Sequence, residues 1–368
     1  MTHFRGRGAD RFRAAGRVVL AALAAAVASA EPFGRGVVVE SVVTGFAAQE
    51  GGLRPGDVVV GWERAASPPA NPEPAAGDVG SPFDLAQVER EQAPRGELTL
   101  VGEREGEPMR VRIPPGEWRV SVRPAFAAAD LDAYLQGKAL AAGGRGADAL
   151  AAWSTLSAAL GARGDHEQAA WLRLEAANLA VRERRWDAAD EAFAEAVKAA
   201  EASADGIVAL VVHRARARYF QDRSRWEPAI AEYGEALKAD EALAPASLGV
   251  AWVHHQLGRL AEGRGELAVA EDHNRRALAL REAIAPGSAD VAASLLNLGN
   301  VAKSRGDLDA AEDLYGRGLA LYQSLGVTGG IGFGLNNLGI VAALRGDLRT
   351  AEDYFGRGLL IEDRLRPK

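Results

Sequence analysis

From residue 125 onward the apolar positions recur at helical spacing. Trp226, Ala229, Tyr233 and Ala236 fall at 0, +3, +7 and +10. Trp186, Ala189, Phe193 and Ala196 repeat that spacing, and Leu308, Ala311 and Tyr315 follow it. Such a pattern is one face of an amphipathic helix. The face itself also recurs. Leu298-Gly299 followed by Arg305-Gly306-Asp307-Leu308 returns 40 residues later as Leu338-Gly339 followed by Arg345-Gly346-Asp347-Leu348. Leu257-Gly258 and Arg264-Gly265-Glu266-Leu267 precede the first copy by 41. Each unit therefore reads as two helices around a tight Gly-containing turn. Six pairs are expected, at 125–162, 163–203, 204–242, 243–286, 287–327 and 328–366. Gly329 to Gly334, between the last two pairs, reads as a flexible or tightly packed turn.

Before residue 125 the period changes. Gly36 to Val43 is a β-branched run and predicts a strand. Ala47 to Glu50 is a short helical turn. Leu53-Arg54-Pro55-Gly56-Asp57 is a turn in which Pro sets φ. Val58 to Trp62 is a second strand. Residues 63–80 carry Pro and Ala without a period and read as a loop. Phe83 to Glu91 is a helix with Pro82 near its start. Glu97–Val101, Met109–Ile113 and Trp118–Val122 are the remaining strands.

The first thirty residues follow neither pattern. Arg5, Arg7, Arg11, Arg13 and Arg17 precede an apolar stretch, Val18 to Ala30, which ends Ala28-Ser29-Ala30. A basic start, a short apolar core and a small-residue end predict a cleaved secretory signal. The expected location is periplasmic or extracellular, and membrane-tethered if the signal stays uncleaved. Thirteen helical residues reach only about 20 Å, short of a ~30 Å hydrocarbon core. No later stretch is apolar enough to span a membrane, so no transmembrane span is expected after cleavage.

The ~40-residue units resemble tetratricopeptide repeats. That resemblance implies a superhelix whose concave surface is lined by the first helix of each pair. It also implies peptide recognition by polar residues two before, or one after, the small residue of that helix. Here those positions are Gln256, Asn297 and Asn337, and Arg218, Arg259 and Asn300. Side-chain amides can pair with a peptide backbone, and Arg can hold a carboxylate. Residues 31–124 resemble a PDZ domain, on Gly36–Val43, Gly45-Phe46-Ala47-Ala48 and Leu53–Asp57 before the Val-rich strand. That likeness implies a peptide strand added beside Val37–Val43 and flanked by Phe83–Glu91. The implied groove residues are Gly34, Arg35, Gly36, Val37, Val39, Phe83 and Val88. A peptide carboxylate would sit on the loop Phe33-Gly34-Arg35-Gly36. The family's usual first strand must then come from elsewhere, with Trp118–Val122 the candidate. The run Ala270-Glu271-Asp272 through Ala285-Pro286-Gly287-Ser288 is similar to the repeats of bacterial proteins that continue into a caspase-like CHAT protease domain. The His and Cys of that protease have no counterpart in this sequence.

The fold class expected is therefore mixed: a small β-rich PDZ-like domain, then an all-α solenoid. Composition narrows the chemistry. The chain has 368 residues, 48% hydrophobic and 25% charged, as folded globular proteins do. Its formal charge of −7 disfavours a sequence-independent grip on nucleic acid. Cysteine is absent, which removes disulfides and thiolate chemistry. No Gly-x-Ser-x-Gly, phosphate-binding Gly-x4-Gly-Lys or His-Glu-x-x-His motif is present. His254 and His255 are adjacent, so on a helix they diverge by about 100° and serve one metal poorly. No catalytic, cofactor or metal site is expected, and no small-molecule substrate. The function expected is an exported, non-enzymatic scaffold that binds proteins or peptides. The alternative is the regulatory arm of a separately encoded CHAT-type protease.

Overall fold

The computed structural model describes residues 36–365, and side-chain surroundings as far as residue 361. The signal segment, and Phe33, Gly34 and Arg35, lie outside the described residues. The chain divides into two compact units, Met1–Pro245 and Ala246–Lys368.

The first unit opens with an antiparallel sheet. Its strands are β1 (Val37–Val42), β2 (Val58–Arg64), β3 (Ala75–Asp78), β4 (Leu98–Arg104), β5 (Glu107–Ile113) and β6 (Val120–Pro124). Their order is β5-β4-β2-β1-β6, with β3 pairing β2 off this path. Alternation buries Val37 and Val39 of β1 on one face, together with Trp62, Leu98, Leu100 and Ile113. Helix α1 (Ala47–Glu50) and helix α2 (Pro82–Glu91) accompany the sheet. Leu85 and Val88 of α2 and the Trp118 ring complete this core. The Ser81 side chain and the Asp84 carboxylate form a reciprocal capping box at the start of α2. The Leu53–Asp57 turn is held by an ion pair between the buried Asp57 and the half-buried Arg104. Asp57 accepts from the Arg54 amide at 2.7 Å and from Arg104 Nε and Nη2, each at 2.7 Å. One expectation is corrected here. Residues 63–80 are not all loop, because Ala75–Asp78 pairs with Gly61–Arg64. Gly77 permits that pairing: a Cβ there would lie 2.8 Å from the Trp62 indole nitrogen.

Six helices follow in the first unit: α3 (Ala128–Ala142), α4 (Gly146–Ala162), α5 (His166–Arg182), α6 (Trp186–Ser203), α7 (Gly206–Asp222) and α8 (Trp226–Leu243). Phe126, Tyr134, Trp153 and Trp171 form an aromatic cluster with ring centroids 5.5–5.9 Å apart. The Tyr134 hydroxyl donates to Glu40 of β1 at 3.0 Å, which ties α3 to the sheet.

The second unit holds α9 (Leu248–Gly263), α10 (Leu267–Ile284), α11 (Ala289–Ser304), α12 (Leu308–Leu325), α13 (Thr328–Leu344) and α14 (Leu348–Leu365). Twelve helices thus follow the sheet among the described residues, in the pairs the spacing predicts. The small residues admit the rings. A Cβ on Gly299 would lie 2.6 Å from the Tyr315 ring, and one on Gly339 2.6 Å from the Phe355 ring. The Gly329–Gly334 segment is corrected: it is the first turn and a half of α13, not a connecting turn. Its glycines serve packing. A Cβ on Gly330 would strike the Tyr322 ring, and Gly334 lies against Leu319.

Candidate peptide-binding surfaces

The expected peptide strand beside β1 has no room. β1 pairs with β2 on one side, Val37 opposite Val59, and with β6 on the other, Val39 opposite Val122. A strand with both edges hydrogen-bonded cannot accept a third. Val37, Val39, Phe83 and Val88 are all buried in the sheet core or beneath α2. Gly36 is buried too, and a Cβ there would lie 2.7 Å from the Val59 carbonyl oxygen. The edge passes instead to β6, which among the described residues pairs only with β1. Trp118–Val122 was the expected stand-in for the family's first strand, and its counterpart β6 takes the β1 edge where the peptide strand was expected.

Helix α2 lies beside β6. At one end the Trp118 amide donates to Glu89 Oε1 of α2 at 3.0 Å. That amide sits just before the edge strand, so a carboxylate from within the protein occupies it. Burial pushes the Glu89 carboxyl above its usual range, and the Trp118 amide offsets part of that effect. Toward the opposite end, a cavity of about 50 Å³ is lined by Gly36, Ser81, Pro82, Pro124, Glu167 and Gln168. Between these ends β6 presents an exposed Ser121 and half-buried Val120 and Val122.

The polar ladder on the first helices divides into exposed and packed members. Arg218 of α7 is 73% exposed and faces Asp222 at 3.9 Å. In the second unit Arg259 is exposed and Gln256 half-buried. The other three turn inward. Asn297 is buried and its amide nitrogen lies 3.0 Å from His255 Nδ1. Asn300 accepts from the Tyr315 hydroxyl at 2.6 Å. Asn337 is buried, and its Nδ2 has no partner. Asn297, Asn300 and Asn337 are thus corrected from ligand contacts to helix-packing residues. Asn336, one residue from Asn337, is the exposed amide that the spacing argument missed. Helical phase separates the two, since neighbours point about 100° apart.

Beneath this surface lies a buried polar network. Arg281 of α10 is 2% exposed, and its Nη1 donates to the Asp290 carbonyl at 3.1 Å and to Ser294 Oγ at 2.7 Å. Burial and the Arg281 charge hold His255 at about 3. His254 Nδ1 lies 3.0 Å from His273 Nδ1, and burial lowers His254 to about 4. Both imidazoles are neutral at pH 7. Among the described residues, no three His, Asp or Glu side chains cluster as metal ligands. Nor is any described helix long and apolar enough to cross a membrane.

Residues 249–324 and 290–359 match the family model described as tetratricopeptide repeat. No curated protein matches the sequence. Solved structures with similar helical arrays share little sequence. BtubC (BKLC) from P. vanneervenii is 22% identical, with a TM-score of 0.49 over 66% of this chain and 92% of its own. The apo form of RapI is 11% identical, with a TM-score of 0.45 over 64% and 98%. PilW, a type IV pilus biogenesis factor, is 17% identical, with a TM-score of 0.40 over 62% and 91%. With α9–α14 paired as described, residues 249–359 carry tetratricopeptide repeats.

Proposed function

We propose that the chain is an exported, non-enzymatic adaptor that holds extended protein segments on the first helices of its repeat pairs. The tetratricopeptide match over residues 249–359 carries this reading. The exposed Arg259 and Asn336, and the half-buried Gln256, supply the polar contacts in the second unit. Arg218 supplies one in the first. A guanidinium can take a carboxylate from the bound segment, and an amide can pair with its backbone. The PDZ-like reading of the sheet adds a strand-type site at the β6 edge, where main-chain hydrogen bonds would hold a peptide. Two modest sites on one chain raise effective concentration. The signal-like first thirty residues support export.

The test is capture from cell-envelope extract by the full chain and by an Arg218→Glu, Arg259→Glu variant. The wild type should retain a reproducible set of proteins. The variant should lose most of it while its circular dichroism and melting temperature stay unchanged. Identical capture by both would overturn the assignment of this face. A second reading rests on the run Ala270–Ser288, which resembles the repeats of CHAT-type proteins. Under it the captured partner is a caspase-like protease, and adding the chain changes that protease's rate.

A further inference from the structure

Helix pairing sets two imidazoles against each other. His254 of α9 and His273 of α10 have Nδ1 atoms 3.0 Å apart and ring centroids 5.2 Å apart. One neutral ring donating Nδ1–H to the other accounts for that distance. So does a shared metal ion. With metal–nitrogen bonds of about 2.0–2.1 Å, a 3.0 Å separation gives an N–metal–N angle of roughly 90–100°. That is the cis angle of square-planar and tetragonal sites, which suit Cu²⁺ and Ni²⁺. A tetrahedral Zn²⁺ site would hold its nitrogens about 3.4 Å apart.

The repeat register shows that this rung is not needed for packing. One repeat further on, the same two positions are Leu295 and Leu314, and the last pair has Leu335 and Tyr354. One repeat earlier they are His213 and Glu232, an imidazole–carboxylate pair at 2.7 Å. A second polar departure stands next to the imidazoles. Asn274 follows His273 and is fully buried, and neither of its amide atoms has a hydrogen-bond partner. It lies against Gly258, one turn beyond His254 on α9. At this register position the other repeats carry Trp153, Phe193, Tyr233, Tyr315 and Phe355. An amide thus stands where the other repeats carry a ring, packed against Gly258 with its polar atoms unpartnered. Charges also face it: Asp272, which favours a cation, and Arg276, which opposes one. Burial of both rings keeps them unprotonated at pH 7, with lone pairs to offer.

We propose that His254 and His273 form a two-imidazole binding site for a divalent transition metal of the Cu²⁺/Ni²⁺ class. Protein ligands fill two cis positions, and water fills the rest from the half-buried His273 side. With two side-chain donors the site is an exchangeable one.

The experiment is calorimetric titration of the full chain with Cu²⁺ and Ni²⁺, with electron paramagnetic resonance of the Cu²⁺ form. His3 is replaced by Gln throughout, because a histidine at residue 3 behind a free amino terminus chelates these ions itself. One equivalent should bind, with hyperfine splitting from two imidazole nitrogens. His254→Gln and His273→Gln should each weaken it by at least about tenfold, and His213→Gln should leave it unchanged. The His254→Leu, His273→Leu double variant copies the Leu295 and Leu314 rung, so it should fold at least as well and bind nothing. No binding by the folded His3→Gln chain, or binding that survives the double leucine variant, would overturn the proposal.

Discussion

Asn274 leaves two buried amide atoms unsatisfied where neighbouring repeats place a ring. Gly258 is still present opposite it, as Gly299 is opposite Tyr315. Asn274→Tyr should therefore fit. In the flanking repeats the ring hydroxyl reaches Gln221 or Asn300, whose register counterparts here are Glu262 and Arg259. Filling the space and removing the unsatisfied amide should stabilise the fold by about 1–3 kcal/mol, read as a rise in urea midpoint. The imidazoles add a pH dependence. His254 at about 4 and His255 at about 3 lie below the ordinary 6.5. Their surroundings hold Arg259, Arg276 and Arg281 against Asp272. Below pH 6.5 the unfolded chain takes up protons that the folded chain refuses. The contribution is present above pH 6.5 and falls as pH drops toward 4, by up to about 1.4 kcal/mol per pH unit for each ring. Half-buried carboxyls with raised values, Glu89 and Glu262 among them, act in the opposite direction. The diagnostic is a comparison of wild type with His255→Leu. The variant should lose less stability between pH 7 and pH 5. Equal losses would show that His255 titrates normally.

At the scale of elements, α13 carries five glycines, each costing a helix about 1 kcal/mol relative to Ala. Their positions divide by what a Cβ would meet. At Gly332 the nearest atom is Ile361 Cγ2 at 3.6 Å, an ordinary contact. At Gly339 the Phe355 ring lies at 2.6 Å. Gly332→Ala should therefore stabilise by about 0.5–1 kcal/mol. Gly339→Ala should destabilise by about 1–3 kcal/mol through overpacking. Thermal melts of the two variants check both signs. The last helix pair, 328–366, was legible beforehand from the repeat of Leu338-Gly339 and Arg345-Gly346-Asp347-Leu348. The helical state of Gly329–Gly334 at its start was not, because a glycine-rich run reads locally as a turn. Contacts with Tyr322 and Leu319 supply the tertiary reason for those glycines. The strand Ala75–Asp78 escaped notice for a similar reason. Its own residues have little strand preference, and it forms because β2 has an edge to pair with.

At the scale of the whole molecule, position in the array decides what an identical pattern is worth. Leu319 and Leu359 occupy the same place in successive repeats. Leu319 is 7% exposed beneath Gly334 of the next pair, whereas Leu359 is 60% exposed. Leu319→Ala should cost about 2–4 kcal/mol and Leu359→Ala less than about 1, measured by denaturant unfolding. Equal costs would mean that Leu359 is covered in solution.

Much of the architecture was determined by the sequence alone. A 40-residue period of small and aromatic positions specifies paired helices, because only that spacing places Ala or Gly against a ring once per turn pair. The Val-rich runs and the Pro-Gly-Asp turn specify a β-rich segment before them. Tertiary structure decided which surfaces remain open. β1 lost its free edge because β6, more than eighty residues later, pairs with it. Asn297, Asn300 and Asn337 turned inward because His255, Tyr315 and the helix interface claim that side of their helices. His254 met His273 rather than its neighbour His255, because helices bring together residues from facing sides and separate adjacent ones. Local pattern sets which elements form, and non-local packing sets which of their groups are left to bind anything.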